Sequence, residues 1–445
     1  MKAYKPRLVL ILSSLLTVFL FLTAAYGASN NIHDLSWCIK TALSRNLNIK
    51  EQRLAVRSSK QQVLIQLKNM LPTLSTRYSY TGMRDVGSIS IMGDSIPISS
   101  HDNYDWQLVL TQPIFEGGAL WNNYKAAKLG EKIAKLELKS KRNDLIRKVK
   151  DAYFQMLVTQ KILLERKAAV RRLVSHLADA RSLFQVGLIA KNDLLQSQVS
   201  LAEARQDEIS AQHDVQLARA KLNLLLRQPL ETPINIKDIL SAMPVKVSLR
   251  DARSYAWTHR PEIKAAKAAI KRAERLLKVS EAGYWPKINL TGVYEEKGIT
   301  PDVSNNPYGD HESAQISAVA TWTIWAWNKT GNQCAQASSA LAQARIQLKS
   351  LRDSVSLEVE QAYLRMEEAA NAIKVARASL EQAKENFDIN QAKFREKLVS
   401  NTDVLDAQTL LVNARTRYFN ALANFHMAVA AMEYAVSGNL SSISN

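Results

Sequence analysis

The residues whose types could support catalysis or metal binding are scattered along this chain of 445 residues. The sequence has no G-x-S-x-G, paired Cys-x-x-Cys, H-E-x-x-H or phosphate-loop pattern, so it indicates no enzyme class. Of the seven histidines, His101 lies beside Asp102 and His311 beside Glu312, both in predicted hairpin loops. Either pair could contribute to a surface metal site, but solvated loop histidines are the ordinary interpretation. We therefore expect no catalytic residue, no cofactor and no metal site.

Acidic side chains recur at equivalent positions of two similar segments. Segment 184–198 reads FQVGLIAKNDLLQSQ and segment 394–408 reads FREKLVSNTDVLDAQ, which places Asp193 and Asp403 in register 210 residues apart. Aspartate is favoured at helix N-termini because its carboxylate accepts hydrogen bonds from the free backbone N–H groups. Asp193 and Asp403 can therefore cap the helices that follow the two turns. Asp406, one helical turn further on, is less easily explained as a cap.

The two turns belong to an internal repeat that extends over most of the chain. Four further pairs of segments correspond in order, the first two at an offset of 214 residues and the last two at 210. These pairs are 42–49 with 256–263, 71–72 with 285–286, 111–115 with 321–325, and 152–153 with 362–363. A long fixed period indicates duplicated structural units. The change in offset falls in a hairpin loop, where a length difference costs little free energy.

Each repeat shows the same order of predicted elements: a helix, two strands, a long helix, a turn and a returning helix. Pro72 and Pro286 end the first helix of each repeat, because proline cannot continue a helix. The helices are predicted over about 35–69, 120–185 and 192–226 in the first repeat and 249–282, 333–396 and 402–436 in the second. The longest helices would extend over roughly 90–100 Å, and apolar residues close to heptad spacing indicate a coiled-coil seam.

The N-terminus has the pattern of a secretory signal peptide. Basic residues precede an apolar run over 8–22 and small residues follow it, so we expect cleavage after Gly27 or Ala28. The run is short for a transmembrane helix. The predicted organisation is a signal peptide over 1–27, a first repeat over 28–227 with a strand hairpin over 72–116, a linker over 228–248, a second repeat over 249–438 with a strand hairpin over 286–325, and a tail over 439–445.

The net charge of +18 constrains the partners. Such a balance can indicate nucleic acid or anionic lipid, but here the charges are interleaved along predicted helices, which is typical of a solvated helix face. Export further disfavours nucleic acid as a partner. Cys38 and Cys334 lie far apart in sequence and form no disulfide framework, so we expect two unpaired cysteines.

The segments between the first and second helices of each repeat alternate apolar and polar residues, as strands do. The strands are predicted over 74–80, 105–114, 287–294 and 315–324. About 9–11 residues let a tilted strand cross a bilayer. An interfacial aromatic belt is indicated by five tryptophans in or beside the strands: Trp106, Trp285, Trp322, Trp325 and Trp327. The alternative is a pair of hairpins packed on a soluble core, although no third layer of predicted elements remains to cover their apolar faces.

Four strands cannot close a barrel on their own. Small closed barrels need about eight strands, and an open strand edge is not tolerated in lipid. Several chains must therefore share one barrel, and three chains would supply twelve strands. Long helices packed side by side around a ring would bury their apolar flanks in the same way. The sequence thus predicts an oligomeric tube, part strand and part helix, without fixing the number of subunits.

The chain resembles the TolC-like outer-membrane channels over nearly the whole mature sequence. The resemblance rests on AL-x-x-N at 42–46, Leu-Pro at 71–72 and Trp-Pro at 285–286, TQPIF at 111–115 with the glycines at 117–118, and VGLIAKND at 186–193. It implies a mainly α fold with a transmembrane β portion. The expected assembly is a homotrimer with a twelve-strand outer-membrane barrel, a long periplasmic α-barrel and an equatorial band built partly from the linker.

The resemblance also implies a passive exit duct for a tripartite efflux pump or type I secretion system. Such a protein lies in the outer membrane of a Gram-negative bacterium and extends into the periplasm. Its expected partners are outer-membrane lipid, a periplasmic adaptor (membrane fusion protein) and an inner-membrane transporter, proton-driven or ABC-type. Two other classes stay open. A periplasmic adaptor should carry one helical hairpin between halves of a β-domain, and a structural coiled-coil protein would not need apolar strands flanked by tryptophan.

In that family the two turns form the closed periplasmic mouth, and aspartates after the second turn project into it. By this resemblance Asp403 and Asp406 are gate residues, and Asp193 matches the acidic position of the first turn. A ring of carboxylates from several chains repels itself and attracts cations. The turn residues expected to contact the adaptor are Val186, Gly187, Leu188, Ile189, Leu398 and Val399.

The second turn departs from the family pattern. Relatives often carry a glycine and an arginine there, and the arginine can bond across to the acidic residue of the first turn. This chain has Lys397 and Val399 at those positions, which we also assign to the gate. The lock between the turns is therefore expected to be weaker, or to use Arg395, Lys397 or Lys191 instead.

Overall fold

The computed structural model describes residues 32–241 and 247–440. The predicted signal peptide, part of the linker and most of the predicted tail lie outside the described residues. The first repeat comprises β1 Ile32–His33, α1 Leu35–Arg45, α2 Leu47–Lys68, β2 Thr73–Gly82, β3 Ser88–Ile91, β4 Asp94–Pro97, β5 Asp102–Glu116, α3 Ala119–Gln185 and α4 Lys191–Leu226. The linker contributes β6 Asn235–Ile236. The second repeat comprises α5 Leu249–His259, α6 Pro261–Glu281, a 3-10 turn Ala282–Tyr284, β7 Lys287–Gly298, β8 Glu312–Thr321, α7 Lys329–Arg395 and α8 Asn401–Val436.

The first helix of each repeat is broken in two, which corrects the prediction of single helices over 35–69 and 249–282. Asn46 leaves the helical region with φ −61° and ψ 131°, and its side chain accepts a hydrogen bond from the N–H of Ile49 at 3.2 Å. It therefore ends α1 and caps α2. Arg260 has nearly the same backbone angles, because Pro261 follows it and disfavours a helical conformation in the preceding residue.

Four strands form one antiparallel sheet in the order β2-β5-β7-β8. The two hairpins are thus joined side by side through β5 and β7, and β2 and β8 lie at the two edges. The predicted end of the strand over 315–324 was wrong. β8 stops at Thr321, although apolar and polar residues continue to alternate beyond it. A small hairpin of β3 and β4 was not predicted. Its turn residues Met92 and Gly93 both have positive φ, as a type I′ turn requires.

The two longest helices, α3 and α7, have 67 residues each, which corresponds to about 100 Å. Each pairs with the returning helix of its own repeat, α3 with α4 and α7 with α8, and α3 also packs against α8. No helix within 32–241 or 247–440 is long and apolar enough to cross a membrane.

Two hydrophobic cores, one in each repeat, lie where the short helices pack against the middle of the long ones. In the first repeat Cys38 and Ile49 pack with Tyr153 of α3 and Leu222 of α4, and Cys38 and Tyr153 are fully buried. The Tyr153 hydroxyl donates to the backbone oxygen of Lys237 at 2.7 Å, which attaches the linker to this core. Burial raises the pKa of the Cys38 thiol to about 12, so the thiol stays protonated and behaves as a small apolar group.

Candidate functional site

The two helix–turn–helix tips, residues 184–193 and 394–403, have the same backbone geometry. Gly187 N–H donates to the Phe184 oxygen at 2.9 Å, and Leu188 N–H donates to the Leu183 oxygen at 2.8 Å. In the second tip Lys397 N–H donates to Phe394 oxygen at 3.0 Å and Leu398 N–H to Lys393 oxygen at 2.9 Å. This pair of bonds is the Schellman motif that ends a helix with a left-handed residue.

The acidic residues of the tips cap the returning helices. Asp193 Oδ2 accepts a hydrogen bond from Ala190 N–H at 3.2 Å, and Asp403 Oδ2 accepts one from Ser400 N–H at 2.9 Å. Both carboxylates act from the third residue of the helix and not from the N-cap position that we predicted. Ser400 completes the second capping box, because its hydroxyl accepts from Asp403 N–H at 3.2 Å. Ala190 has no side-chain acceptor, so the first tip has half of this arrangement.

The capping bonds affect the charge at the second tip. The hydroxyl and the N–H of Ser400 both donate to the Asp403 carboxylate and hold its pKa below the ordinary aspartate value. Asp403 is therefore ionised in all but strongly acidic conditions. Asp406 lies one turn further along α8 and is exposed to solvent, as is Asp403, whereas Asp193 is half-buried.

A buried polar cluster joins the two tips, and sequence reasoning missed it. Asn401, the first residue of α8, is 3% exposed and bonds to both long helices of the first repeat, α3 and α4. Its Oδ1 accepts from His176 Nε2 on α3 at 2.8 Å and from Ser197 Oγ on α4 at 2.9 Å. Its Nδ2 donates to the Asp193 backbone oxygen at 3.0 Å and to Gln196 Oε1 at 3.2 Å. These residues carry no repeated spacing in sequence, so no pattern could have found them.

Ion pairs also join the two hairpins. Of the three basic residues considered for a lock between the turns, Arg395 pairs with Asp179 on α3 at 3.7 Å and not with Asp193. Lys397 and Lys191 are exposed. Further from the tips, Glu165 on α3 is 5% exposed and lies between Arg172 at 2.5 Å and Arg415 of α8 at 2.7 Å. The Arg172 Nε also donates to Gln408 Oε1 on α8 at 2.9 Å.

The turns present apolar side chains to solvent. Val186 is 67% exposed, Leu188 49% and Leu398 72%, whereas Ile189 and Val399 are half-buried. Gly187 is exposed between them. Each turn thus exposes at least one large apolar side chain next to charged residues.

The five tryptophans divide between the two ends of the sheet. Trp285, Trp322, Trp325 and Trp327 lie at the end nearest the long helices, and all four are more than half exposed. Trp106 lies near the opposite end of β5, where it contacts Tyr294 with ring centroids 6.0 Å apart. Sequence reasoning missed its other aromatic neighbours in this part of the sheet, which are Tyr78, Tyr80 and Tyr104. Their positions at alternate residues of β2 and β5 were the available signal.

The separation of the two aromatic groups is close to a membrane thickness. Trp106 precedes Phe115 by nine residues in β5, and Phe115 pairs with Ile288 just after Trp285. This interval corresponds to about 30 Å along the strand, or about 23 Å along the normal for a strand tilted by about 40°. Outer-membrane strands carry an apolar band of about 25 Å between two aromatic girdles.

Comparisons with known proteins agree with this geometry. The family model described as outer membrane efflux protein matches residues 38–226 and 253–438. Outer membrane efflux protein BepC of Brucella suis is 22% identical over 373 residues, covering 82% of this chain and 77% of BepC. Alkaline protease secretion protein AprF of Pseudomonas aeruginosa is 22% identical over 322 residues, covering 71% of this chain and 66% of AprF.

Solved channel structures share the fold. The Campylobacter jejuni CmeC outer membrane channel superposes with a TM-score of 0.78 at 17% identity, covering 92% of this chain and 88% of CmeC. The CusC channel gives a TM-score of 0.78 at 17% identity, covering 91% of this chain and 92% of CusC. The superposition spans both repeats, including the sheet and the long helices.

Proposed function

The chain belongs to the outer membrane efflux protein family, and we propose how it forms and closes its duct. It is an outer-membrane channel that extends into the periplasm and provides the exit of an efflux or type I secretion system. The interpretations as a periplasmic adaptor or a structural coiled-coil protein are set aside by the family match. Transport through it is passive, so it requires no catalytic residue.

The proposed assembly is a homotrimer. The sheet of one chain has free edges at β2 and β8, and three copies pairing β2 of one with β8 of the next would close a ring of twelve strands. Every residue of β8 is exposed in the single chain, which supports a partner on this strand. The two aromatic groups at the ends of the sheet would then form the two girdles of this barrel and contact outer-membrane lipid.

The observation that carries the proposal is the continuity between sheet and helix. β5 ends at Glu116 and α3 begins at Ala119, so a strand of membrane-crossing length passes directly into a helix of about 100 Å. The second repeat makes the same transition between Thr321 and Lys329. A closed ring of such chains is a tube that crosses the outer membrane and much of the periplasm.

The tips are the proposed periplasmic mouth, where the duct docks to its partners. Apolar turn residues of each hairpin, Val186, Leu188 and Leu398, would contact a periplasmic adaptor. That adaptor would join the duct to an inner-membrane transporter, proton-driven or ABC-type. The exposed carboxylates of Asp403 and Asp406 from three chains would line the mouth and repel one another.

Membrane fractionation and electrophoresis test this proposal. The protein should fractionate with the outer membrane, migrate as a trimer in unheated detergent samples and dissociate on heating. In planar bilayers the purified trimer should form channels of low conductance, because the mouth is closed without partners. A monomer recovered from the soluble periplasm would contradict the proposal.

A further inference from the structure

One residue from each of the four long helices meets in a buried cluster close to the tips. The members are His176 on α3, Ser197 on α4, Phe394 on α7 and Asn401 on α8, and each is at most 5% exposed. The His176 ring lies 4.9 Å from the Phe394 ring between centroids. We refer to these four residues as the tip cluster. It is a buried part of the contact between the two hairpins, close to the turns.

The hydrogen bonds of Asn401 fix its own orientation and the protonation of His176. The amide has two partners at its oxygen and two at its nitrogen. The Ser197 hydroxyl has a single proton, which it shares between Asn401 Oδ1 and the Asp193 backbone oxygen at 3.0 Å. Reversing the amide would place its oxygen against the backbone oxygen of Asp193, which repels it. Asn401 Oδ1 is therefore the acceptor, and His176 must donate from Nε2. The neutral form of His176 already supplies this proton.

A second proton on His176 would give the ring a positive charge, which is unfavourable in this buried cluster. Burial lowers the pKa of His176, against smaller raising effects from its bond to Asn401 and from Asp179. On α3 the nearest charged residues are Asp179 and Arg172, one turn to either side. Asp179 is already paired with Arg395 of α7, and Arg172 with Glu165.

On α4 and α8, two carboxylates close to the cluster are already bonded elsewhere. On α4, Asp193 turns its carboxylate to Ala190 N–H and presents only its backbone oxygen to the cluster. On α8, the Asp403 carboxylate is bound to Ser400. A buried charge without such a partner is unfavourable, and the protein can relieve it by exposing the group to water.

We propose that Asn401 is a positioning residue that holds the second tip turn against the first hairpin only while His176 is neutral, so that mild acid loosens the mouth. This inference rests on the proposed function, because it assumes that the tips form the mouth. In the closed mouth the tip cluster is neutral and hydrogen-bonded. Binding of one proton to His176 of each chain loosens the contact between the two tips.

The direction of the pH effect follows from the two states of His176. When the tips are joined, burial keeps the ring neutral. When they separate, the ring meets water and its pKa returns to about 6.5. Protons therefore bind the separated state more strongly, and separation is favoured as the pH falls below about 7. Each pKa unit between the two states shifts this equilibrium by up to about tenfold. The carboxylate of Asp403 titrates at lower pH because its pKa is depressed, so it does not contribute in this window.

Channel recording of the purified full-length protein at pH 7.5 and pH 5.5 tests the inference. The wild type should open several-fold more often at pH 5.5. His176→Gln can donate a similar hydrogen bond but cannot be protonated, so it should resemble the wild type at pH 7.5 and lose the response to acid. Asn401→Leu should open often at both values. His213→Gln, at an exposed position on α4, is the matched control and should keep the full response.

Amide hydrogen exchange of segment 394–405 gives a second readout that does not depend on conductance. After correction for the intrinsic pH dependence, acid should accelerate exchange in the wild type and in His213→Gln but not in His176→Gln. An equal acid response in wild type and His176→Gln, in both measurements, would overturn the inference. Absence of channels at either pH, with the exchange response intact, would count against the proposed duct and not against the cluster.

Discussion

Gly187 and Lys397 occupy the same left-handed position in the two tips, with φ of 73° and 58°. Glycine adopts this conformation freely, whereas a side chain at Cβ makes it unfavourable. The duplicated turn has thus kept its backbone while one copy carries a residue that strains it. The backbone of the second tip, which follows α7, is therefore held in this conformation by its neighbours and not by its own local preference.

Lys397→Gly should stabilise the second turn. Relief of the left-handed strain, about 1–2 kcal/mol, outweighs the greater freedom of glycine in the unfolded chain, about 0.5–1 kcal/mol. Amide exchange in residues 394–400 should slow accordingly. Glu396→Gly is the matched control, because Glu396 has φ −86° and its replacement should accelerate exchange. Faster exchange in Lys397→Gly would show that the lysine side chain makes a stabilising contact.

Exchanging serine and alanine between the N-cap positions of α8 and α4 should have opposite effects on the stability of the two helix starts. Ser400→Ala removes the hydroxyl that caps α8 and should destabilise that helix start by about 1 kcal/mol. Ala190→Ser should stabilise the start of α4 by a similar amount, because Asp193 already provides the other half of the capping box. Amide exchange at the first turn of each helix measures both. Equal effects of the same sign would contradict the assignment.

Acid should weaken the α8 cap by a separate process from that at His176. The pKa of Asp403 is lowered in the folded protein, so its contribution is complete above the ordinary aspartate value of about 4 and is lost as the pH falls through the lowered value. Helix-start protection should therefore decline below about pH 4 in the wild type. Asp403→Asn should show reduced protection at neutral pH and a weaker decline.

Glu165 should stabilise the contact between α3 and α8 strongly. Glu165→Gln would leave Arg172 and Arg415 side by side without their shared carboxylate, and breaking a buried pair in this way costs about 3 kcal/mol. The loss is expected toward the lower end of the usual range because both arginines reach solvent in part. The temperature at which the detergent-resistant trimer dissociates should fall. Glu203→Gln, on the exposed face of α4, should leave it unchanged.

Removing the carboxylates of Asp403 and Asp406 one at a time should distinguish their effect on conductance from their effect on the cap of α8. Asp406→Ala should raise ion conductance in planar bilayers without altering exchange at the start of α8, since Asp406 is exposed and lies outside the capping box. Asp403→Ala should raise conductance and accelerate exchange together. Both trimers should still assemble. Unchanged conductance in the two variants and in the double variant would exclude a carboxylate gate at these positions.

Much of this fold is predictable from sequence because long elements repeat their pattern many times. The 67-residue helices and the paired strands follow from periodicity, and the repeat itself restricts the topology. The break at Arg260 had a signal in Pro261, and the break at Asn46 in the capping preference of asparagine. The end of β8 had no signal in the sequence, because apolar and polar residues continue to alternate through Trp322 and Ile324.

The candidate site was predictable only in part. The turns and their aspartates recur in register, so the sequence indicated where the tips lie. The bonds between the tips join Asn401 to His176 and to Ser197. These two residues precede Asn401 in the chain by 225 and 204 residues. Each of these residues alone is an ordinary helix residue. Only the packing of the two hairpins shows that Asn401 is buried and bonded to both long helices of the first repeat.

Disulfide trapping can show whether three chains close one ring through β2 and β8. In one chain these edge strands are separated by β5 and β7, about 14 Å in all, which is too far for a disulfide. In a background lacking Cys38 and Cys334, Ser75→Cys would be combined in turn with Ser313→Cys, Gln315→Cys and Ser317→Cys on the same sheet face. If three chains close one ring, one of these pairs should yield covalent trimers and nothing larger. Monomers only, or a ladder continuing beyond three chains, would rule out such a ring.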